Sequence, residues 1–430
     1  MDFAYLDNNA TTPLAPEVVE VIHDAAQRLY ANPSSPHRPG QQVRQHVELA
    51  RQSVAQLIGA KPREITFTSG GTEANNLALR GLIESELWRR AKNGINDLAT
   101  APAIVTLPVE HSAVRDPAKH LVMHGGAARW LDVDHDGLVS PALVEQTLDE
   151  LLGESPQDTS ELAASPRDVD ANRLIVVSVQ WANNETGVIQ DVAAIGQIIE
   201  SARQRVRDQG HRPRVFFHID ATQAVGKVPV DVDAARCDLL TLSAHKLHGP
   251  KGIGVLWTRR MVKLAALQLG GSQERERRGG TENTIGILAL GKAAELAQAH
   301  LDNAEECEQI RTMRDRFERA LLERVPGAVV NAVRAPRLSN TSSIGFRGVE
   351  AEAILLGLSE KGVCASAGAA CSSGSLEASP ILQAMHMDEA TAHGTVRFSL
   401  SRYTTDEEVD RALEVVPHVV ERLMRTLPMR

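Results

Sequence analysis

Two side chains in the middle of the sequence, an aspartate and a lysine, are of the types that chemistry on a pyridine cofactor requires. Asp220 closes the strand-like run 216–219, and Lys246 follows a second apolar run, between histidines and hydroxyl residues. A carboxylate can keep a pyridine nitrogen protonated, and a lysine can hold an aldehyde as a Schiff base. The pair therefore suggests pyridoxal phosphate. A turn aspartate and a solvated lysine would give the same pattern, so the spacing alone leaves both interpretations open.

A glycine turn near residue 70 has the features of a phosphate site. The strand-like run 64–68 leads into Ser69-Gly70-Gly71-Thr72, and a helical pattern begins directly after it. The first N–H groups of a helix have no partner within the helix and attract anions. We expect Gly71 and Thr72 to lie at the cofactor phosphate. A plain helix N-terminus with Glu73 in its first turn is the alternative.

Other polar side chains also follow predicted strands. His111 comes after the buried strand 103–107, and Asn184 comes after the β-branched run 173–180. In a chain that alternates strands and helices, ligands gather at the carboxyl ends of the strands. We expect both residues to meet Asp220 there, although a single histidine after a strand is also commonly structural.

A segment of small residues carries two of the four cysteines. Cys364 and Cys371 are separated only by Ala, Ser and Gly, so the segment has little to bury and is expected to be mobile. Cys364, beside Val363, is a good candidate for a buried residue, whereas Cys371 is a poor one. A mobile thiol near a cofactor lysine suggests a nucleophile that moves between the substrate and an outside acceptor.

Composition limits the class of protein. The chain has 430 residues, 43% of them hydrophobic and 23% charged, which is typical of a globular protein with room for two domains. The net charge of -9 argues against a nucleic-acid-binding protein. No apolar run reaches the ~18 residues of a membrane span, no targeting signal is visible, and the cysteines lack zinc-ligand spacing. We therefore expect a cytoplasmic protein that binds neither nucleic acid nor membrane and has no metal site.

The order of the predicted elements indicates an α/β fold with two domains. Residues 16–295 are expected to form a large cofactor-binding domain, and residues 1–15 with 296–430 a smaller α+β domain that carries the cysteine segment. The pattern from Ile285 to about Val325 predicts one long helical run. The polar stretch 153–171 is expected to be a surface insertion without a chemical role.

The sequence resembles the cysteine desulfurases, and more closely the branch of nitrogen-fixation and housekeeping iron–sulfur enzymes that have a long cysteine loop. The resemblance covers nearly the whole chain and rests on nine motifs in family order. They are residues 6–12, 68–73, 110–111, 183–187, 218–226, 243–254, 280–283, 371–376 and 397–402. It implies a fold-type I pyridoxal phosphate transferase that works as a homodimer, with a mostly parallel seven-stranded sheet in the large domain.

The resemblance also implies a role for each matching residue. Lys246 would hold the cofactor and move the substrate proton, Asp220 would pair with the ring nitrogen, and Gln223 with the ring oxygen. His111 would stack on the ring and exchange protons with the substrate thiol, and Asn184 would lie against cofactor and substrate. The residues expected to hold the phosphate are Gly71, Thr72, Ser243, His245 and Thr281 of the partner subunit.

Two further roles concern the substrate. Arg397 would bind the carboxylate of L-cysteine, for which a planar fork is suited. Cys371 would take the substrate sulfur as a persulfide, leaving L-alanine, and pass it to an acceptor such as an iron–sulfur scaffold protein. The alternatives are a selenocysteine lyase, a class V aminotransferase, which needs no travelling thiol, and an inactive paralogue kept as a scaffold.

The chain departs from the family pattern at several positions. Ala244 stands beside the lysine where most members have glycine, so the local backbone must tolerate a Cβ. The other departures are Ser272 for a common histidine, Ala367 and Ala369 for serines before the cysteine, and Ala378 for a usual proline. None of them removes a predicted catalytic group.

Overall fold

The computed structural model describes residues 3–93, 101–153, 173–367 and 378–426. Cys371 lies outside the described residues, as does nearly all of the predicted insertion 153–171.

The strands occur in the following order: β1 (Ala4–Tyr5), β2 (Ile65–Thr68), β3 (Ala103–Thr106), β4 (Ala127–Trp130), β5 (Ile175–Gln180), β6 (Val215–Asp220), β7 (Leu239–Ser243), β8 (Gly254–Thr258), β9 (Ala328–Val330), β10 (Thr341–Phe346), β11 (Val363–Cys364), β12 (Ser366–Ala367) and β13 (Thr395–Ser399). The helices are α1 (Pro16–Arg28), α2 (Arg38–Leu57), α3 (Gly71–Lys92), α4 (Ser112–Met123), α5 (Pro141–Leu152), α6 (Val192–Asp208), α7 (Gln273–Glu276), α8 (Thr284–Asp302), α9 (Ala304–Arg324), α10 (Ala351–Glu360), α11 (Pro380–Ala384), α12 (Glu389–His393) and α13 (Asp406–Thr426).

A seven-stranded sheet forms the centre of the molecule, with strand order β2-β8-β7-β6-β5-β3-β4. Within it β8 runs antiparallel to both neighbours, and the remaining pairs are parallel. The predicted α/β fold with a mostly parallel seven-stranded sheet is therefore confirmed. Because six strands point the same way, the loops after β2, β3, β5, β6 and β7 meet at one edge.

Helices cover both faces of this sheet, which explains the continuous apolar runs of its strands. Along β5, Val177 contributes to the core under α2, α5, α6 and α8, and the next-door Val176 to the core under α3 and α4. The alternation follows from the two-residue period of a strand, and it buries all six residues of β5.

A second core lies between α9, α10, α13 and the antiparallel sheet β12-β13-β10-β9. Phe317 of α9 packs edge-to-face on Phe398 of β13, with ring centroids 4.9 Å apart. Leu6 joins this core, and β1 pairs in parallel with β11. Residues 378–392 pack instead on the large core. The boundaries 1–15, 16–295 and 296–430 thus remain a prediction.

The helical run predicted from Ile285 to Val325 is two helices in the structure. Asn303 separates α8 from α9, with non-helical backbone angles (φ −99°, ψ 91°), and its side chain accepts a hydrogen bond from Glu306 N. Asparagine is a strong N-cap, so the sequence restarts the helix at this point. Within the described ranges, no helix has the length and apolar character needed to cross a membrane.

Candidate active site

A cavity of about 650 Å³ lies at the edge of the central sheet where the parallel strands end. Ten of the residues selected from the sequence line it: Gly71, Thr72, His111, Asn184, Asp220, Gln223, Ser243, His245, Lys246 and Arg397. Thr281 is exposed and lies outside this lining. The resemblance assigns it to the cavity of the partner subunit, so a single chain does not bring it in.

Asp220 is the last residue of β6 and points into a rigid hydrogen-bonding arrangement. One carboxylate oxygen accepts from Asn75 Nδ2 at 2.7 Å, and the other accepts from Thr222 N at 3.0 Å. Asp220 is only 7% exposed, so these bonds replace those that water would otherwise make. Asn75 was missed in the sequence, although it follows Thr72 by three residues and so shares its face of α3.

Lys246 is brought to the cavity by a 3₁₀ turn, residues 244–246, directly after β7. Its Nζ donates to the carbonyl oxygens of Asn9 at 2.6 Å and Ala10 at 2.7 Å. Ala244 is fully buried in this turn, and a Cβ on Gly249 would lie 2.9 Å from the Cβ of Ala244. The alanine beside the lysine is thus accommodated because residue 249 is glycine.

His111 is the N-cap of α4. Its Nδ1 accepts a hydrogen bond from Ala113 N at 3.1 Å, which leaves the ring proton on Nε2. Burial lowers the pKa of His111, an effect that the charge of Asp220 opposes and that of Lys246 reinforces. The ring is therefore neutral near pH 7 and offers an N–H donor.

The turn before α3 forms a small polar pocket in the cavity wall. Gly70 has φ 156° and ψ 179°, a region that only glycine adopts readily. A Cβ on Gly71 would lie 3.2 Å from Thr222 Oγ1, so glycine allows a close approach. Thr222 Oγ1 is buried and has no hydrogen-bond partner in the described part of the chain. Together with the first N–H groups of α3, this hydroxyl can bind a phosphate.

His245 closes the same pocket, where its Nδ1 lies 3.2 Å from Thr11 Oγ1. Burial, together with the charge of Lys246, lowers the pKa of His245 to about 4. His245 is therefore neutral near pH 7. It can donate a hydrogen bond to an anion, but it does not supply a positive charge to the pocket.

Arg397 enters the cavity from the middle of β13 and is 2% exposed. Its Nη1 donates to Asn184 O at 2.9 Å and its Nη2 to Asp7 Oδ1 at 2.7 Å. Its Nε is buried without a partner among the residues that the structure describes. The ion pair with Asp7, which the sequence did not reveal, orients the guanidinium.

Two buried glutamates in the lining were also missed. Glu110 Oε1 accepts from Gln180 N at 2.6 Å, and burial raises the pKa of Glu110 well above its usual range. Glu185 accepts from Ser379 Oγ at 2.6 Å, and burial raises the pKa of Glu185 as well. Both positions stand in motifs noted in the sequence, but burial, which sets their protonation, is not visible there.

The described cysteines all have raised thiol pKa values. Burial raises the pKa of Cys237, which is fully buried, and of the half-buried Cys307 and Cys364. Cys364 was expected to be buried, yet it is partly exposed beside the buried Val363. Because nucleophilic cysteines need a lowered pKa, these three are disfavoured as the nucleophile.

Comparisons with known proteins identify the family of this chain. The family model described as aminotransferase class-V matches residues 4–152 and 157–412. The chain is 43% identical over 428 residues to "Cysteine desulfurase 2" of Trichormus variabilis, covering 100% of this chain and 96% of the relative. It is 39% identical over 426 residues to "Cysteine desulfurase IscS" of Dictyoglomus turgidum, covering 99% and 96% of the two chains.

Solved structures show the same relationship. A NIFS-like protein superposes with a TM-score of 0.82 at 30% identity, covering 98% of this chain and 100% of that one. A structure of SspA in complex with cysteine gives a TM-score of 0.72 at 30% identity, covering 93% and 99%. The resemblance seen in the sequence is confirmed: the chain belongs to the cysteine desulfurases of the class V aminotransferase family.

Proposed function

We propose that this chain is a pyridoxal phosphate-dependent cysteine desulfurase, which converts L-cysteine to L-alanine and holds the sulfur as a persulfide. One observation carries the proposal. Lys246, Asp220 and Arg397, which come from separate parts of the sequence, line a single cavity. A lysine for the aldehyde, a carboxylate for the ring nitrogen and a cation for the substrate carboxylate are the groups that this reaction needs.

The residues of the cavity fit the cofactor. Thr222 Oγ1 and Asn75 Oδ1 are buried polar atoms without partners in the described ranges, and both residues line the cavity. The pocket formed by Gly71, Thr72, Ser243 and His245 would hold the phosphate. Asp220 would accept from the ring nitrogen and Gln223 would contact the ring oxygen. When bound, pyridoxal phosphate supplies an electron-withdrawing ring that stabilises negative charge at the substrate Cα.

Two side chains handle protons. The Nζ of Lys246, which would hold the cofactor aldehyde when no substrate is bound, would act as the base that takes the proton from the substrate Cα and would later return a proton to the carbon skeleton. His111, neutral and protonated on Nε2, donates a hydrogen bond to the substrate from the cavity wall. Positioned proton-transfer groups of this kind contribute ~10²–10⁴ in rate.

Arg397 orients the substrate. Its guanidinium is already held by Asp7 and by the carbonyl of Asn184, so it is fixed before the substrate arrives. The Nε–H group, which has no partner in the described part of the chain, is available for the carboxylate. Because the guanidinium is already fixed, one hydrogen bond from it to the substrate carboxylate is enough to position the substrate Cα–H group relative to Lys246.

Cys371 is the proposed sulfur acceptor. Its thiolate forms an S–S bond with the substrate sulfur as the Cβ–S bond breaks. The electron pair of that bond remains with the carbon skeleton, which takes up a proton and leaves as alanine. No outside oxidant is needed, because sulfur is oxidised as carbon is reduced. The raised thiol pKa values of Cys237, Cys307 and Cys364 support this choice.

The wider setting is part of the same proposal. We infer a homodimer in which Thr281 of the partner subunit completes the phosphate site, an iron–sulfur scaffold protein as sulfur acceptor, and a cytoplasmic location. The first two are supported by the family to which the chain belongs, and the last by the low cysteine content.

The visible spectrum of the purified protein, recorded before and after addition of L-cysteine with alanine and sulfide assayed in the same tube, tests the function. We expect a yellow cofactor band that shifts while both products form. In Cys371→Ser the shift should persist and sulfide should disappear, whereas the control Cys364→Ser should keep both. Bound cofactor without sulfide from the unaltered chain would favour a selenocysteine lyase or an aminotransferase, and no bound cofactor would favour a scaffold.

A further inference from the structure

Asn9 connects the lysine of the cavity with residues that come from distant parts of the chain. It follows β1 and is 1% exposed. Its backbone carbonyl accepts two hydrogen bonds, from Lys246 Nζ at 2.6 Å and from Gln223 Nε2 at 2.9 Å. One carbonyl oxygen thus contacts both the residue proposed to bind the aldehyde and the residue proposed to contact the ring oxygen.

The side chain of Asn9 is held on both sides of its amide. Its Oδ1 accepts from Lys227 Nζ at 2.8 Å and from Asn340 Nδ2 at 3.2 Å. Its Nδ2 donates to Thr341 Oγ1 at 2.9 Å and to Asn184 O at 3.2 Å. An asparagine amide has two donors and one acceptor oxygen with two lone pairs, so this side chain makes all the bonds that it can.

Two more contacts complete the arrangement. The N–H of Asn9 donates to Ser399 Oγ at 2.9 Å, and Lys227 Nζ also donates to Gln223 Oε1. Gln223 is therefore held at both ends of its amide, by Asn9 and by Lys227. A buried polar network in which every member is satisfied is rigid, because each rotation leaves a polar atom unpaired.

We propose that Asn9 is a positioning residue, whose clamped side chain fixes the backbone carbonyl that in turn places Lys246 and Gln223. The inference rests on the proposed function, because it assumes that these two residues meet the cofactor. Asn9 itself does not take part in the chemistry. Its effect is to keep the lysine amine and the glutamine amide in fixed positions relative to each other.

Four variants of the full-length holoenzyme test the proposal. Asn9→Ala removes both donors and the acceptor. Asn9→Asp keeps an oxygen for Lys227 and Asn340 but puts an acceptor where Asn9 donates to Thr341 and to the Asn184 carbonyl. Lys227→Met removes one of the two donors to Asn9 Oδ1 without altering Asn9 itself. The matched control is Asn331→Ala, because Asn331 is also a buried amide, 2% exposed, with two side-chain partners, Ser343 and Thr395, outside the cavity.

The measurements are kcat and KM for L-cysteine, the dissociation constant of pyridoxal phosphate from its visible absorbance, and the melting temperature. For Asn9→Ala we expect kcat to fall by about 10- to 100-fold, as a misplaced catalytic group does, with KM changed by less than about threefold. The cofactor dissociation constant should rise by at least about fivefold, since Lys246 and Gln223 are both displaced. Asn9→Asp, whose new oxygen opposes the Asn184 carbonyl, should also lose kcat and cofactor affinity, and Lys227→Met should show a smaller version of these losses.

The control separates positioning from folding. Asn331→Ala should lower the melting temperature while kcat and cofactor affinity stay within about twofold of the unaltered enzyme. Normal kcat and cofactor affinity in Asn9→Ala would overturn the inference, as would Asn9→Asp and Lys227→Met variants that both match the unaltered enzyme. If Asn9→Ala does not fold, Asn9→Asp and Lys227→Met decide by the same measurements. An unaltered chain that binds no cofactor would overturn the proposed function, which is a different and recognisable result.

Discussion

The two walls of the cavity are built in different ways. The sheet-edge wall consists of residues at the ends of strands of the central sheet or shortly after them, among them Asp220, Ser243 and Lys246. The closing wall consists of Asn9, Ala10, Arg397, Pro380 and Ile381, which come from three separate segments of the chain. Backbone hydrogen bonds of a seven-stranded sheet hold the first wall, whereas side-chain hydrogen bonds hold much of the second.

The two walls also differ in the roles proposed for their residues. The groups proposed to meet the cofactor ring stand at the ends of strands, and sites built on strands are held more precisely than sites on loops. The groups proposed to meet the substrate carboxylate, or to position the lysine, stand on the closing wall. Substitutions in the sheet-edge wall are therefore expected to act mainly on kcat. Those in the closing wall are expected to act on KM where the side chain meets the substrate, and on kcat where, as at Asn9, it positions Lys246.

The largest effect is expected for Lys246→Ala. We expect turnover to fall by more than the ~10²–10⁴ of a proton-transfer group, because the covalent link to the cofactor is lost as well. Alanine production from L-cysteine measures it, with cofactor content recorded for each sample. A variant that kept near-normal alanine production would show that Lys246 is not needed for the reaction, and would contradict the assignment of the chemistry to the sheet-edge wall.

A smaller effect, on the other wall, is expected for Arg397→Lys. Lysine keeps the charge but loses the planar fork, so KM for L-cysteine should rise by about 10- to 100-fold with a lesser change in kcat. The control is Arg337→Lys, since Arg337 forms a similarly buried ion pair with Glu318 at 2.7 Å outside the cavity. Equal changes in KM for the two variants would show that the substrate does not meet Arg397.

The smallest effect concerns the pH dependence of stability, which we expect to come from buried histidines in β6 and in the segment after β7. Burial lowers the pKa of His218 to about 4, and the same holds for His245 and His248. An unfolded histidine has a pKa near 6.5, so the unfolded chain binds more protons between pH 6.5 and 4. The contribution of these histidines to stability is therefore fully present above pH 6.5 and is lost as the pH drops toward 4.

His218→Gln measures the contribution of one such ring, which lies between Ser178 and Thr241. The slope of the unfolding free energy against pH, from urea titrations between pH 4.5 and 6.5, should fall by up to about 1.4 kcal/mol per pH unit. His418→Gln, at an exposed position of α13, should leave the slope unchanged. An unchanged slope in both variants would place the acid sensitivity elsewhere.

The sheet-edge wall could be predicted from the sequence. Apolar runs followed by polar residues locate strand ends, and parallel strands bring those ends together, so Asp220, Lys246 and His111 were expected to meet. Lys246 lies in a short turn after a strand end, and this turn brings its Nζ to the carbonyl oxygens of Asn9 and Ala10. The small and polar residues that follow the strand allow such a turn. Local pattern and topology were sufficient because the sheet itself does the positioning.

The closing wall shows what the sequence did not contain. A motif resemblance pointed to Arg397, but its partner Asp7 lies 390 residues away in the chain. The network around Asn9, the buried Glu110 and Glu185 and the break at Asn303 were likewise missed. Periodicity reports only which face of an element is apolar, whereas hydrogen bonds between distant segments depend on how the two cores dock. The sequence by itself thus determined the family, the sheet and the types of group at the edge of the sheet. The tertiary structure decided which side chains hold those groups in place, because only packing brings their partners within bonding distance.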